Sequence, residues 1–300
     1  MVLLIDGGMG QELRARGLNP DSKNAGQALI KSPEVVRDVH VEFIYAGAEI
    51  ITTWNYSLTR YRLGLLGLDN KLDEMTGIAV ELANDARSRV VDSQIRIAGC
   101  LPPLIASYEA NDQPFDLMLE EYDEIASYLA LGVDLFLCET MSSASEAAAA
   151  ATAAAKFGKP VWVSWTLRDD ADGLLRSGET LDEALSAISK IPVEAVLINC
   201  CDTTVVGNAI ASLRSKTNHL VGGYANAFTP ISEKWKRDGY HLRDLRDLTP
   251  EEYGIEVLQW SKNGAQIVGG CCGIGPEYIS HLRQLIDKNV LVQNELDMFS

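Results

Sequence analysis

The stretch AVLINCCDTTVVGNAIASLRS, residues 195–215, begins with a short apolar run, Ala195–Asn199, passes through two adjacent cysteines, and continues into a segment of helical length, Val205–Ser215. A strand-length run followed by a helix-length one is the βα unit from which parallel sheets are built. The same rhythm extends outward to both ends of the chain. Strands are expected at Leu3–Ile5, Glu49–Thr53, Ile95–Cys100, Leu135–Cys138, Val161–Thr166, Leu220–Gly223 and Gln266–Val268. Helices are expected at Pro33–Ala46, Asn70–Val91, Asp116–Leu131, Ser145–Phe157, Leu181–Ser189, Pro250–Asn263 and Pro276–Asp287. Together with the opening unit these pairs predict a single closed (β/α)8 barrel, a TIM barrel, over residues 1–300, with an open doubly wound sheet as the alternative.

Several helix starts support this reading. Ser143-Ala144-Ser145-Glu146 has capping-box spacing, and Ser32-Pro33 and Thr249-Pro250 place a cap before a proline at the first helical position. The alanine run 147–151 lies inside a capped segment and reads as a helix whose small side chains pack closely on the barrel. The one long irregular stretch, 224–248, carries Trp235 and Tyr240 and is expected as a functional or contact loop of the seventh unit.

A chain of 300 residues that is 47% apolar can bury a large core. Its net charge of −16 leaves no basic stripe for phosphates, which argues against nucleic acid as a partner. Met1–Asp6 has no basic leader, and no apolar stretch reaches membrane-spanning length, so a cytoplasmic location away from membranes is expected. In a reducing compartment six cysteines are better read as ligands or buried thiols than as disulfides.

Residues at the carboxyl ends of barrel strands face the active site. Asp6, Thr53, Tyr56, Cys100, Glu139, Cys200, Tyr224, Asn226, Cys271 and Cys272 all fall there. Taken singly, each has an ordinary role, and their convergence on one rim carries the argument. The glycine-rich turn Val268-Gly269-Gly270-Cys271-Cys272-Gly273-Ile274-Gly275-Pro276 sets two adjacent thiols between glycines. Neighbouring side chains on a strand point to opposite faces, so both can reach one ion only where the backbone leaves strand geometry, as glycines permit. A third thiolate would complete a zinc site with one open position, and Cys200 is the obvious donor. Cys201 adjoins it as a bystander, and spacing alone does not choose between the two. Strand parity turns Cys138 away from Glu139 toward the helices. Cys100, from the third strand, is read as structural.

Other chemistries lack their residues. His40, His219, His241 and His281 are isolated, none at an expected strand end, and Glu139 has no carboxylate opposite it on the seventh strand for glycoside cleavage. Gly7-Gly8-Met9-Gly10 lacks dinucleotide spacing. A phosphate site at 269–275 would leave the cysteines without a purpose.

Asp6-Gly7-Gly8-Met9-Gly10-Gln11-Glu12-Leu13, Thr52-Thr53-Trp54-Asn55-Tyr56, Gly99-Cys100-Leu101-Pro102-Pro103, Cys138-Glu139-Thr140, Asn199-Cys200 and Gly269-Gly270-Cys271-Cys272-Gly273 resemble the homocysteine S-methyltransferase family over nearly the whole chain. The resemblance implies a Zn2+-dependent barrel with Cys200, Cys271 and Cys272 as metal ligands. It implies that Asp6 and Glu139 hold the amino group of homocysteine, and that backbone near Gly7 and the Thr53 region take its carboxylate. Where the family often has Tyr-Pro-Asn, this chain has Tyr224-Ala225-Asn226, so its donor pocket is expected to differ. Leu101-Pro102-Pro103 resembles a bacterial-type branch rather than the betaine-using one, which favours a sulfonium donor such as S-methylmethionine or S-adenosylmethionine. Tyr56 or Trp235 could hold that cation by cation–π contact. The alternatives are betaine, another thiol or selenol acceptor, a corrinoid or folate donor brought by a partner, or a non-catalytic zinc- or redox-sensing barrel. Oligomeric state is left open.

Overall fold

The apolar runs are only two to seven residues long, too short to bury themselves alone, and they pair side by side into one parallel sheet. In the computed structural model, which describes residues 2–18, 26–91, 94–170, 172–229 and 245–297, the strands are β1 (Leu3–Leu4), β2 (Ile50–Thr52), β3 (Arg96–Leu101), β4 (Leu135–Met141), β5 (Val161–Trp165), β6 (Ala195–Asn199), β7 (Leu220–Tyr224) and β8 (Ile267–Val268). Each pairs with its sequence neighbours, β1 pairs with β8, and a parallel bridge from Ile5 to Ile50 joins β1 to β2. That bridge closes the ring, so the barrel holds and the open sheet is excluded.

Helices α1 (Met9–Ala15), α2 (Gln27–Lys31), α3 (Pro33–Tyr45), α4 (Arg60–Gly64), α5 (Leu72–Ser88), α6 (Phe115–Leu129), α7 (Ala144–Ala155), α8 (Leu181–Ile188), α9 (Thr203–Lys216), α10 (Pro250–Lys262) and α11 (Pro276–Asp297) follow the strands. None of the described helices is long and apolar enough to cross a membrane. Period-two alternation divides the core. Ile5, Ile50, Ala98, Leu135, Leu137, Trp162, Leu197 and Tyr224 fill the barrel interior, while Cys138, Val163, Val196 and Ile198 face the helix layer. The alanines of α7 are buried nearly all round, which lets this helix sit tightly against α6, α8, β4 and β5.

Three expectations change. β4 runs on past Cys138 to Met141, with a register irregularity between those residues and Thr140 at φ 59°, so Glu139 sits in a bulge rather than after the strand. At the start of α7 only half the capping box forms. Ser143 accepts the Glu146 N–H, but the Glu146 carboxylate turns inward and accepts Leu104 N–H at 3.0 Å, Asn111 Nδ2 at 3.1 Å and Tyr122 Oη at 3.2 Å. Ser32 precedes Pro33 without a side-chain cap bond, whereas Thr249 and Glu252 complete the box on α10. Most of the long seventh loop, with Trp235 and Tyr240, lies outside the described residues. Its two ends meet where Phe228 bridges Leu245 and Arg246 N–H donates to Ala227 O at 2.7 Å.

Glu146 therefore pins the loop between β3 and α6 to the barrel from below. Glu146→Ala removes the acceptor of the Leu104 N–H and of an Asn111 amide N–H and is expected to cost about 2–4 kcal/mol in urea unfolding. A loss under about 0.5 kcal/mol, the range of ordinary surface changes, would contradict that role.

Candidate active site

The mouth is built where strands end and the backbone leaves regular geometry. Among the described residues three non-glycines occupy the left-handed region, and all three lie at this rim: Tyr108 at φ 68°, Thr140 at 59° and Cys200 at 55°. Such residues cost of order 1–3 kcal/mol each and persist where the surroundings over-determine them. At Cys200 the departure has a direct consequence. A regular strand would send Asn199 and Cys200 to opposite faces; the left-handed turn lets both serve the mouth while Cys200 N–H still donates to Tyr224 O at 3.1 Å.

The eighth unit supplies two more thiols through a tight turn. Cys271 N–H donates to Ala225 O, Ile274 N–H returns to Cys271 O, and Gly273 takes φ 80°. The turn after β1 packs directly on it. A Cβ at Gly7 would meet Ile274 O at 2.2 Å and one at Gly8 would meet Cys271 O at 2.5 Å, so Asp6-Gly7-Gly8 needs its glycines for this approach. The Sγ atoms of Cys200, Cys271 and Cys272 all lie within 4.8 Å of one another, with Cys200 and Cys272 at 3.8 Å. An ion holding thiolates tetrahedrally at about 2.3 Å spaces its sulfurs about 3.8 Å apart, so the cluster has the dimensions to hold a metal. Cys201 instead packs in the outer core, where burial pushes its thiol up to about 12.

Thiol chemistry points the same way. The hydrogen bonds that the Cys271 thiol shares with Cys200 and Cys272 as a donor, then burial, raise it well above its ordinary range. Three close thiols cannot share negative charge without a cation among them; a bound cation reverses that sign. Two amides reach toward the sulfurs, Asn199 Nδ2 to Cys271 at 3.9 Å and Asn226 Nδ2 to Cys200 at 3.9 Å. Asn199 is itself locked by Thr140 and Ser164.

The two acidic groups sit in the same mouth. Asp6 Oδ2 accepts Thr52 N–H at 2.7 Å and Oδ1 accepts the Thr52 hydroxyl at 3.1 Å, yet burial raises its carboxyl from 3.8 to about 8, with Glu139 adding to the rise. Glu139 Oε1 accepts the Cys100 thiol at 2.9 Å and Oε2 accepts Tyr224 Oη at 3.4 Å; burial lifts it from 4.5 to about 7, and Cys200 adds to that. Two buried carboxyls of raised pKa in one mouth are suited to an ammonium group, which would favour their ionised forms.

The remaining residues divide. Thr53 is 2% exposed and its hydroxyl is occupied, accepting Cys100 N–H at 3.0 Å and meeting Asn55 Oδ1 at 2.7 Å. Tyr56 bonds Ser107 Oγ at 2.7 Å and carries the Arg62 guanidinium over its ring at 5.2 Å. Cys100, read as structural from sequence, touches Glu139. Interior parity with Ala98 was the signal for it. Tyr108, whose Oη lies 3.0 Å from Cys200 Sγ, sits in a loop with no periodicity to mark it. Asn199 shares the inward parity of Leu197.

A family model described as homocysteine S-methyltransferase matches residues 3–286. The chain is 30% identical over 304 residues to the homocysteine S-methyltransferase of Escherichia coli K12, covering 94% of each. It is 27% identical over 319 residues to the selenocysteine methyltransferase of Astragalus bisulcatus, covering 94% of this chain and 92% of that one. In three dimensions it matches the metallated form of the homocysteine methyltransferase MmuM from Escherichia coli with a TM-score of 0.79 at 27% identity, over 94% of this chain and 96% of that one.

The raised carboxyls fix a sign for pH dependence. The folded state binds these protons more tightly than the unfolded chain, so their contribution is full below the ordinary values and is lost as pH rises toward about 7 and 8. Thermal melts of metal-free protein between about pH 5 and pH 8 are expected to show a steeper fall for wild type than for Glu139→Gln, which cannot charge. Equal slopes would contradict the environment assigned to Glu139.

Proposed function

We propose that this chain, which belongs to the homocysteine S-methyltransferase family, takes a methyl group from a sulfonium donor, S-methylmethionine or S-adenosylmethionine, onto the thiol of homocysteine and releases methionine. The observation that carries the reading is the cluster of three thiols set in one mouth with two buried carboxyls whose pKa values are raised. Zinc is the ion proposed, because three thiolates at this spacing suit a tetrahedral site whose fourth position admits the substrate sulfur. When bound, zinc would stabilise the homocysteine thiol as its thiolate near neutral pH.

The chain's own groups do the rest. Asp6 and Glu139 are proposed to ionise around the amino group of homocysteine, whose charge offsets the burial that raises both carboxyls. Backbone near Gly7 and the Thr53 region are proposed for its carboxylate. Tyr56 and Asn226 are proposed on the donor side, where an anionic sulfur cluster attracts a cation. As the new S–CH3 bond forms, the donor's C–S+ bond breaks and its electron pair stays with the departing thioether. That group leaves neutral, so no general acid is needed. The likeness to a selenocysteine methyltransferase makes a selenol the acceptor to compare with homocysteine. Because the thiols must stay reduced, the cytoplasm is the proposed location.

Reduced, zinc-loaded protein given homocysteine and a panel of sulfonium, betaine and folate donors is expected to form methionine with a sulfonium; methionine from betaine alone would overturn the donor assignment. Cys271→Ala and Cys272→Ala are each expected to lose bound zinc and methyl transfer together, as is Cys200→Ser but not Cys201→Ser, scored by metal content. Glu139→Gln is expected to keep its zinc and raise the KM for homocysteine about tenfold or more; an unchanged KM would remove Glu139 from the amino-group site.

A further inference from the structure

Tyr108 takes no part in the reading above, yet among the described residues it makes a close polar contact to the cluster, Oη to Cys200 Sγ at 3.0 Å. Asn226 Nδ2 approaches the same sulfur at 3.9 Å. While Cys200 is a thiol either atom can donate; once its proton is gone only the tyrosine hydroxyl can. The contact comes from a loop that is fixed at many points. Glu146 holds Leu104 and Asn111, Tyr122 Oη donates to Pro102 O at 2.9 Å, and Ser107 bonds Tyr56. The Tyr108 ring lies under the Arg176 guanidinium at 5.1 Å. Arg176 in turn pairs with Asp169 at 3.2 Å, both side chains nearly buried at 4% and 7% exposure. Asp169 Oδ1 accepts Asp202 N–H at 3.2 Å, two residues beyond Cys200. Loops from the third, fifth and sixth units thus aim one hydroxyl at one sulfur, with Tyr108 kept in a left-handed conformation that a bulky residue otherwise avoids.

We infer that Tyr108 is a positioning residue that donates its hydroxyl to the Cys200 thiolate and so keeps the incoming methyl group off the protein's own sulfur. The inference rests on the methyl-transfer reading. A mouth with several thiolates presents several nucleophiles to one electrophilic methyl group. A hydrogen bond from a neutral hydroxyl to a charged sulfur lowers the energy of the sulfur lone pair and with it the sulfur's nucleophilicity. Homocysteine sulfur, without that bond, remains the better nucleophile. The side reaction Tyr108 suppresses is balanced: the donor's C–S+ bond breaks, an S–CH3 bond forms at Cys200, and the donor departs as a neutral thioether. Its product is an S-methylcysteine that can no longer serve as a thiolate ligand.

The test uses full-length protein loaded with cobalt(II) for spectra and zinc for turnover, in three forms: wild type, Tyr108→Phe, and 3-fluorotyrosine at position 108, which keeps the ring's shape and strengthens its hydroxyl as a donor. Loss of the hydrogen bond raises the sulfur lone pair, so the sulfur-to-cobalt charge-transfer band is expected at lower energy in Tyr108→Phe and at higher energy in the fluorotyrosine form. After turnover with S-methylmethionine, mass spectrometry of the Cys200 peptide is expected to show about tenfold more methylation per methionine formed in Tyr108→Phe than in wild type. A band that stays put in both altered forms, or Cys200 methylation at the wild-type level, overturns the inference while leaving the proposed reaction standing. Wild type that binds no metal or makes no methionine overturns both.

Discussion

Everything in the structure depends on gathering three thiols, one buried and two half-buried, into one mouth. Cys200 is 3% exposed, and its sulfur and those of Cys271 and Cys272 all fall within 4.8 Å of one another. Without a cation each thiol makes its neighbours harder to ionise, as the raised Cys271 shows; with one, the same closeness becomes a chelate. The fold supplies that closeness cheaply. A barrel closed by the Ile5–Ile50 bridge brings the ends of β6 and β8 to the same rim although they stand far apart in the chain, and the glycines after β1 let the first loop lie on the eighth.

The departures from regular backbone are concentrated where this constraint acts. Left-handed turns at Thr140 and Cys200 and the β4 irregularity around Glu139 each re-aim a side chain that strand geometry would have turned elsewhere, and Tyr108 is left-handed in its loop at the same rim. Around them the interior is ordinary close packing, with Trp162 and the aliphatic residues filling the barrel below the mouth. Rigid packing below and strained backbone above is an arrangement suited to holding a reactive centre whose ligands cannot relax away from it.

Much of this could be read from the chain. Strand–helix alternation gave all eight units, and strand parity placed Cys138 and Glu139 on opposite faces, because both signals are local and repeat with a fixed period. Cys100, read from sequence as structural, shares the inward parity of Ala98, and the direct pairing of β3 with β4 brings it against Glu139. Choosing Cys200 over Cys201 required the left-handed turn, which no residue type announces. The short helices α1, α2 and α4 lie within loops and escaped notice; α1 and α2 begin at glycines without side-chain caps. Glu146 had the spacing of a capping box, and only its burial beneath the third loop shows that its carboxylate serves Leu104 and Asn111 instead. Tyr108 needed three loops in place before its meaning emerged.

X-ray absorption at the zinc edge tests the central claim most directly, because it counts the sulfurs bound to the metal whether or not any methyl group moves. For reduced, zinc-loaded protein the account predicts three sulfur ligands and a lighter fourth atom, changing to four sulfurs when homocysteine is added without a donor. Fewer than three sulfurs at the start, or a first shell that homocysteine leaves unchanged, would contradict it.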